Sequence, residues 1–113
     1  MADLGDASQI KASLADSTYV VHTATPMEEA QVAQMVEVAV AGTLNVLKAC
    51  HDYQVKKCVV TGSTDAVIYT AKEDEAPEGT PWNENSWSNP NRPGGLWPYS
   101  LSKTSAELKA LEY

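Results

Sequence analysis

Apolar and polar positions follow two different periods along this chain, and the changes of period divide it into elements. In residues 5–17, GDASQIKASLADS, Ile10 and Leu14 recur four apart with Ala15 beside them, behind Asp6 or Ser8 as candidate caps. That spacing predicts a short amphipathic helix. Residues 18–24, TYVVHTA, are a β-branched and aromatic run of buried-strand length, ended by Thr25-Pro26. From 27 to 53 the period lengthens again. Val32, Met35, Val36, Ala39, Val40, Thr43, Leu44 and Leu47 return at steps of three and four, which predicts a long helix. Glu28 and Glu29 suit the positive end of its dipole. Gly42 interrupts this helix at a cost of about 1 kcal/mol relative to Ala, so a neighbour is expected to approach closely there.

The remainder reads in the same way. Residues 56–63, KKCVVTGS, predict a second strand running into a Gly-Ser turn. Residues 70–97 are rich in Pro, Gly, Asn and Glu and predict a long loop. Its three tryptophans, Trp82, Trp87 and Trp97, favour an ordered and functional loop. Residues 98–113 are helical in pattern, with Pro98 at the first helical position. Strands alternating with helices imply an α/β fold, a parallel sheet with helices on its faces. Two strands are too few to make such a sheet stable alone. The expectation is therefore a central slice of a doubly wound sheet, with residues 1–113 forming part of one domain.

Composition narrows the classes. Of 113 residues, 43% are hydrophobic and 20% charged, enough to build a core rather than a disordered chain. The net charge of −7 opposes nucleic-acid binding, which needs clustered Lys and Arg, and Lys56-Lys57 is the only basic doublet. Cys50 and Cys58 lie eight apart without CxxC or Cys/His ligand spacing, so no metal site is expected. They read as buried, reduced thiols of a cytoplasmic protein. The start, MADLGDASQI, has no basic and then apolar region of a secretory signal, and no apolar run is long enough to span a membrane.

The chemistry begins at WPYSLSK, residues 97–103. Tyr99 and Lys103 are four apart on one predicted helix, so they project from the same face. An ammonium near a phenol favours the phenolate, and the start of the helix adds partial positive charge to the same effect. Such a phenol can give its proton to a carbonyl oxygen. A carbonyl being reduced also needs a hydrogen-bond donor for its developing negative oxygen. Ser63, at the carboxyl end of the second predicted strand, is the candidate, with Thr64 as the alternative. Ligands of open α/β sheets bind beyond those strand ends. A lone Tyr-x-x-x-Lys is commonly surface decoration; the joint order of strand, Ser, aromatic loop and Pro-Tyr-x-x-x-Lys is the stronger signal. His22 reads as a core histidine, His51 as a helix-end residue, and 72–78 as a solvated acidic loop face.

These residues resemble the extended short-chain dehydrogenase/reductases, within them the cinnamoyl-CoA reductase and dihydroflavonol reductase branch. The words that carry the resemblance are ADL (2–4), VVHTATPM (20–27), AVAGTLNVLKAC (39–50), KKCVVTGS (56–63), NENSWSN (83–89) and YSLSKTSAE (99–107). The resemblance implies a partial Rossmann-type domain, a nicotinamide cofactor (NADP, with NAD as the alternative) and a small-molecule carbonyl substrate. By residue, it implies that Ser63 orients the carbonyl and Tyr99 is the general acid. Lys103 would hold the nicotinamide ribose and make the phenol a readier acid. Asp3 and Leu4 would lie along the adenine, and Ala24 and Thr25 would line the nicotinamide-ribose channel. The loop around Trp87 would help to cover the site. The family's Gly-rich phosphate loop and its substrate lobe have no counterpart in these residues. Gly62 stands where many relatives have Ser, and neither Ala39 nor Asn45 clearly supplies the family's helix asparagine. Helix packing around Gly42 is compatible with a homodimer. Two other readings stay open: a sugar-nucleotide epimerase, dehydratase or hydroxysteroid dehydrogenase of the same superfamily, and a truncated, non-catalytic interaction protein.

Overall fold

Asp6 begins the first element. Its carboxylate accepts the backbone N–H groups of Ser8 (2.9 Å) and Gln9 (3.1 Å), which a helix start would otherwise leave open. Together with the Ser8 hydroxyl at 2.6 Å, these donors hold the Asp6 carboxyl down at about 2. The computed structural model describes residues 2–26, 32–68 and 81–113. In it α1 runs Ala7–Ser13 and buries Ile10. Leu14 is half-buried as expected, but Ala15 is exposed. The helix has already ended there, and Asp16 turns the chain with φ 64.

Strand β1 (Tyr19–His22) lies parallel to β2 (Lys57–Val60), with Tyr19 opposite Lys57 and His22 opposite Val60. The run read as a buried strand is covered on one face only. Val20 and His22 are buried, whereas Tyr19 is 67% and Val21 65% exposed, and Val59 on β2 is exposed on the same side. Side chains of a strand alternate between faces, so one covered face hides every second residue.

Helix α2 (Val32–Asp52) follows the predicted period from its described start; Glu28 and Glu29 lie outside the described residues. Met35, Ala39 and Thr43 are buried as the pattern expects. So are Val46, Ala49 and Cys50, which meet Ile10 and Val20 in the main apolar cluster. The helix is therefore wrapped on two sides, by α1 and the sheet on one and by α3 on the other. Its end is closed by Gln54, at φ 54, while the Val55 N–H donates to the Cys50 carbonyl. The neighbour that Gly42 implies is Leu4: a Cβ at position 42 would lie 3.0 Å from the Leu4 Cβ. The close approach serves the chain's own fold.

After β2 the chain makes a short 3-10 turn, Thr64–Ala66, and α3 spans Pro98–Glu112 with Pro98 in its first turn. Residues 81–97 hold neither helix nor strand, as their composition predicts. The buried positions of α3 are Ser100, Ser102, Thr104 and Ala106. Their small side chains let the helix lie close to its neighbours. Each buried hydroxyl is satisfied: Ser102 donates to the Tyr99 carbonyl and Thr104 to the Ser100 carbonyl, both at 2.7 Å. Among the described residues no helix is long and apolar enough to cross a membrane.

Candidate active site

The strand that delivers Ser63 is extended by one bond beyond the sheet. The Thr61 N–H donates to the His22 carbonyl at 2.9 Å, so the two segments stay paired up to Thr61. Ser63 then lies in extended backbone (φ −153, ψ 149) and caps the 3-10 turn. Its hydroxyl oxygen accepts the Asp65 N–H at 3.2 Å. A hydroxyl that accepts there still has its own proton to donate. Thr64, the alternative candidate, is exposed and forms the first residue of the turn.

Tyr99 and Lys103 lie on α3, one helical turn apart, as their spacing predicts. The Lys103 Nζ donates to the Thr61 carbonyl at 2.9 Å, which ties α3 to the end of β2. Tyr99 is half-buried. The side chains of Ser63, Tyr99 and Lys103 are not hydrogen-bonded to one another; the backbone of Thr61 and residues around Asp65 connect the elements that carry them. Ser100, next to Tyr99, donates to the Asp65 Oδ2 at 2.6 Å, and Ser88 donates to the Asp65 carbonyl at 2.7 Å. The Ser88 N–H in turn donates to the Ala66 carbonyl at 2.8 Å, which anchors the Trp87 loop on the turn.

A cleft of ≈ 310 Å³ opens between the strand ends, α2 and α3. Its polar and charged lining comes from His22, Thr25, Thr43, Thr61, Lys103 and Glu107, and Ala24 lies in the same wall. Of the three predicted catalytic residues only Lys103 lines this cleft; Ser63 follows the lining residue Gly62, and Tyr99 is one turn ahead of Lys103, but neither is part of the lining. Gly62 keeps the wall thin, since a Cβ there would lie 3.1 Å from the Glu107 Oε2. His22 is buried with its Nε2 3.5 Å from the Thr43 Oγ1. Burial, and then the Lys103 charge, push its pKa below the usual 6.5, so the ring is held neutral.

Ala24 also borders a shallower hollow that Ala2 and Leu4 help to line, which connects the start of the chain to the cleft region. Asp3 lines a different hollow, with Ala2, Leu4, Gln9, Pro26 and Val38, and is held by its own bonds. Its Oδ1 accepts the Gly5 N–H at 2.9 Å, and its N–H donates to the Gln9 Oε1 at 3.2 Å. The Asn45 Nδ2 donates to the Leu4 carbonyl at 3.0 Å, so Asn45 is engaged in holding this segment. Sequence reasoning missed Asp65, Ser88 and Ser100. The run of Ser and Thr in YSLSKTS was the available signal, because a helix without an apolar stripe that still packs must bury hydroxyls.

A parallel sheet whose strand ends meet a helix bearing Tyr-x-x-x-Lys defines a partial Rossmann-type domain of the extended short-chain dehydrogenase/reductase kind. Comparison with known proteins sharpens this: a model of the 3-beta hydroxysteroid dehydrogenase/isomerase family matches residues 1–112, and the chain belongs to that family. It is 38% identical to cinnamoyl-CoA reductase 1 of Petunia hybrida, over 98% of this chain and 32% of the relative. It is 32% identical to vestitone reductase of Medicago sativa, over 99% of this chain and 35% of the relative. Among solved structures, the UDP-glucose 4-epimerase of Thermus thermophilus in complex with NAD superposes with a TM-score of 0.68 at 31% identity, covering 98% of this chain and 34% of that one. The chain thus spans about a third of the length of the relatives it matches.

Proposed function

We propose that this chain carries the proton-transfer half of a nicotinamide-dependent carbonyl reductase, acting on an aldehyde, ketone or CoA-thioester carbonyl, with NADPH as the first choice of cofactor and NADH as the second. The observation that carries the reading is the bond from the Lys103 Nζ to the Thr61 carbonyl, which brings the Tyr-x-x-x-Lys helix to the strand end that bears Ser63. The reductases of Petunia and Medicago among the relatives support it.

The residues present fit one end of the cofactor. An ammonium has three donors, and the one that Lys103 spends on Thr61 leaves two for the hydroxyls of a ribose. The cleft, ≈ 310 Å³, is at the small end of ligand sites, which run roughly 300–1,000 Å³. That is room for a nicotinamide and ribose beside Ala24 and Thr25, not for a whole dinucleotide. Asp3 and Leu4 are offered to the adenine end. The 113 residues contain no Gly-rich phosphate turn, so this chain supplies little grip on the pyrophosphate.

The cofactor supplies the hydride. The protein residues do the rest. Ser63, its oxygen already occupied by the Asp65 N–H, directs its proton to the substrate carbonyl and polarises it. Tyr99 gives its phenolic proton to the same oxygen as negative charge develops there, which completes the alcohol. Lys103 would position the ribose. The Trp87 loop, anchored through Ser88 on Asp65, would help to cover the site. Tyr99→Phe removes the transferable proton and is expected to lower kcat by roughly 10²–10⁴-fold with little change in KM. Steady-state kinetics with NADPH and a panel of aldehydes and ketones measures this; a variant that keeps its turnover rejects the assignment.

A second reading rests on the likeness to the Thermus epimerase, in which case a nicotinamide cofactor would take a hydride from a sugar carbon and return it, while the same three residues would move the hydroxyl proton. Nucleotide sugars in the same substrate panel separate the two.

A further inference from the structure

Three serines converge on one residue that the reaction itself does not use. The Asp65 N–H donates to the Ser63 Oγ at 3.2 Å, its carbonyl accepts from the Ser88 Oγ at 2.7 Å, and its Oδ2 accepts from the Ser100 Oγ at 2.6 Å. Ser88 and Ser100 are each only 1% exposed, so these bonds are sheltered from competing water. Each polar group of Asp65 thus reaches a different segment: the turn with Ser63, the loop next to Trp87, and the helix one residue after Tyr99.

We propose that Asp65 is a positioning residue that fixes the distance between the Ser63 hydroxyl and the Tyr99 phenol, with Ser100 as its partner on α3. The proposal rests on the reductase reading for its kinetic consequence only; the positioning itself is a property of the fold. Ser63 and Tyr99 come from elements separated by more than thirty residues of chain, and they share no direct bond. Lys103 ties α3 to Thr61, ahead of the serine in sequence. The Asp65–Ser100 bond is a second tie, behind the serine. Two ties on either side of Ser63 restrain the turn against rotation about the first. A hydrogen-bond donor and a proton donor that must meet one carbonyl oxygen need that restraint, because a displacement of about 1 Å can cost about 100-fold in rate. The pair also sets the hydroxyl's direction. With Asp65 held by Ser100, its N–H stays on the Ser63 oxygen and the serine proton is turned outward.

The test uses the 113-residue chain labelled with 3-fluorotyrosine, the Tyr99 signal being assigned by its loss in Tyr99→Phe. Asp65→Ala and Ser100→Ala are each expected to displace or broaden the Tyr99 fluorine resonance and to leave those of Tyr19, Tyr53 and Tyr113 in place. The double variant should add nothing further, because both changes remove the same bond. Asp65→Asn keeps an acceptor for Ser100 and should restore most of the wild-type signal. In whatever longer form shows carbonyl reduction, Asp65→Ala should lower kcat roughly 10- to 100-fold with KM nearly unchanged. An unmoved Tyr99 signal in folded Asp65→Ala and Ser100→Ala overturns the proposal. So does equal movement or collapse of all the tyrosine signals, which makes the pair a general structural contact. If the fluorine pattern is as expected while no carbonyl substrate is turned over, the positioning stands and the reductase reading fails.

Discussion

His22, which the sequence marks as a core histidine, takes that place in the fold. It sits in a run of apolar strand residues, it is buried, and its charged form is opposed by burial and by the Lys103 ammonium across the cleft. Glu107 is the carboxylate in the same lining. A base whose folded pKa lies below its unfolded 6.5 takes up its proton more readily when the chain unfolds. Stability is therefore full above about pH 6.5 and falls as pH drops through that value toward the lower folded pKa. His22→Gln, which cannot be protonated, is expected to flatten this part of the profile. Urea unfolding midpoints between about pH 7.5 and 5.5 check it; an identical slope in the variant would mean that other groups carry the dependence. The other histidine, His51, is exposed at the end of α2.

Among the elements, α2 was the most legible and α3 the least. The three- and four-residue steps from Met35 to Thr43 predicted the side of α2 that is buried toward α3, and Gly42 announced a close neighbour. The steps did not predict that Val46 and Ala49 would be buried too, because a single apolar stripe is the signature of a helix covered on one side, and α2 is covered on two; of the two cysteines read as buried thiols, Cys50 is buried and Cys58 half-buried. Gly42→Ala tests the close approach. Alanine would favour the helix by about 1 kcal/mol, but its Cβ would meet Leu4 at 3.0 Å, and overpacking of that kind costs about 1–3 kcal/mol. A lower thermal midpoint is expected, where an unhindered helical glycine would give a higher one. On α3, the period of apolar residues says little, since the buried positions are Ser100, Ser102 and Thr104 along with Ala106. The helix packs on α2 and is tied to distant residues by Ser100 on Asp65 and Lys103 on the Thr61 carbonyl, and no local pattern encodes those ties. Tyr99 and Lys103 were legible because their spacing is a property of any helix. The tie through Asp65 was not, because it spans 35 residues.

At the scale of the whole molecule, the sheet has two parallel strands among the described residues, and the α/β class follows from the alternation that the sequence shows. The strand lengths were less legible: Thr18, Thr23 and Ala24 have the composition of a strand but lie outside β1, although the Thr18 carbonyl still accepts the Lys56 N–H at 3.0 Å. With a cleft of ≈ 310 Å³ and no Gly-rich phosphate turn in its sequence, the chain alone is expected to bind NADPH weakly. Titration followed by nicotinamide fluorescence should give a dissociation constant well above the micromolar range; micromolar affinity would mean that phosphate contacts exist elsewhere in these residues. The uncovered side of the sheet has a practical consequence of its own. Parallel sheets are normally sheathed on both faces, yet here Tyr19, Val21 and Val59 meet solvent. Water wets that flank poorly, so copies concentrated in a tube gain by sticking there, and detergent or a solubilising fusion becomes a condition for handling the chain as a monodisperse sample.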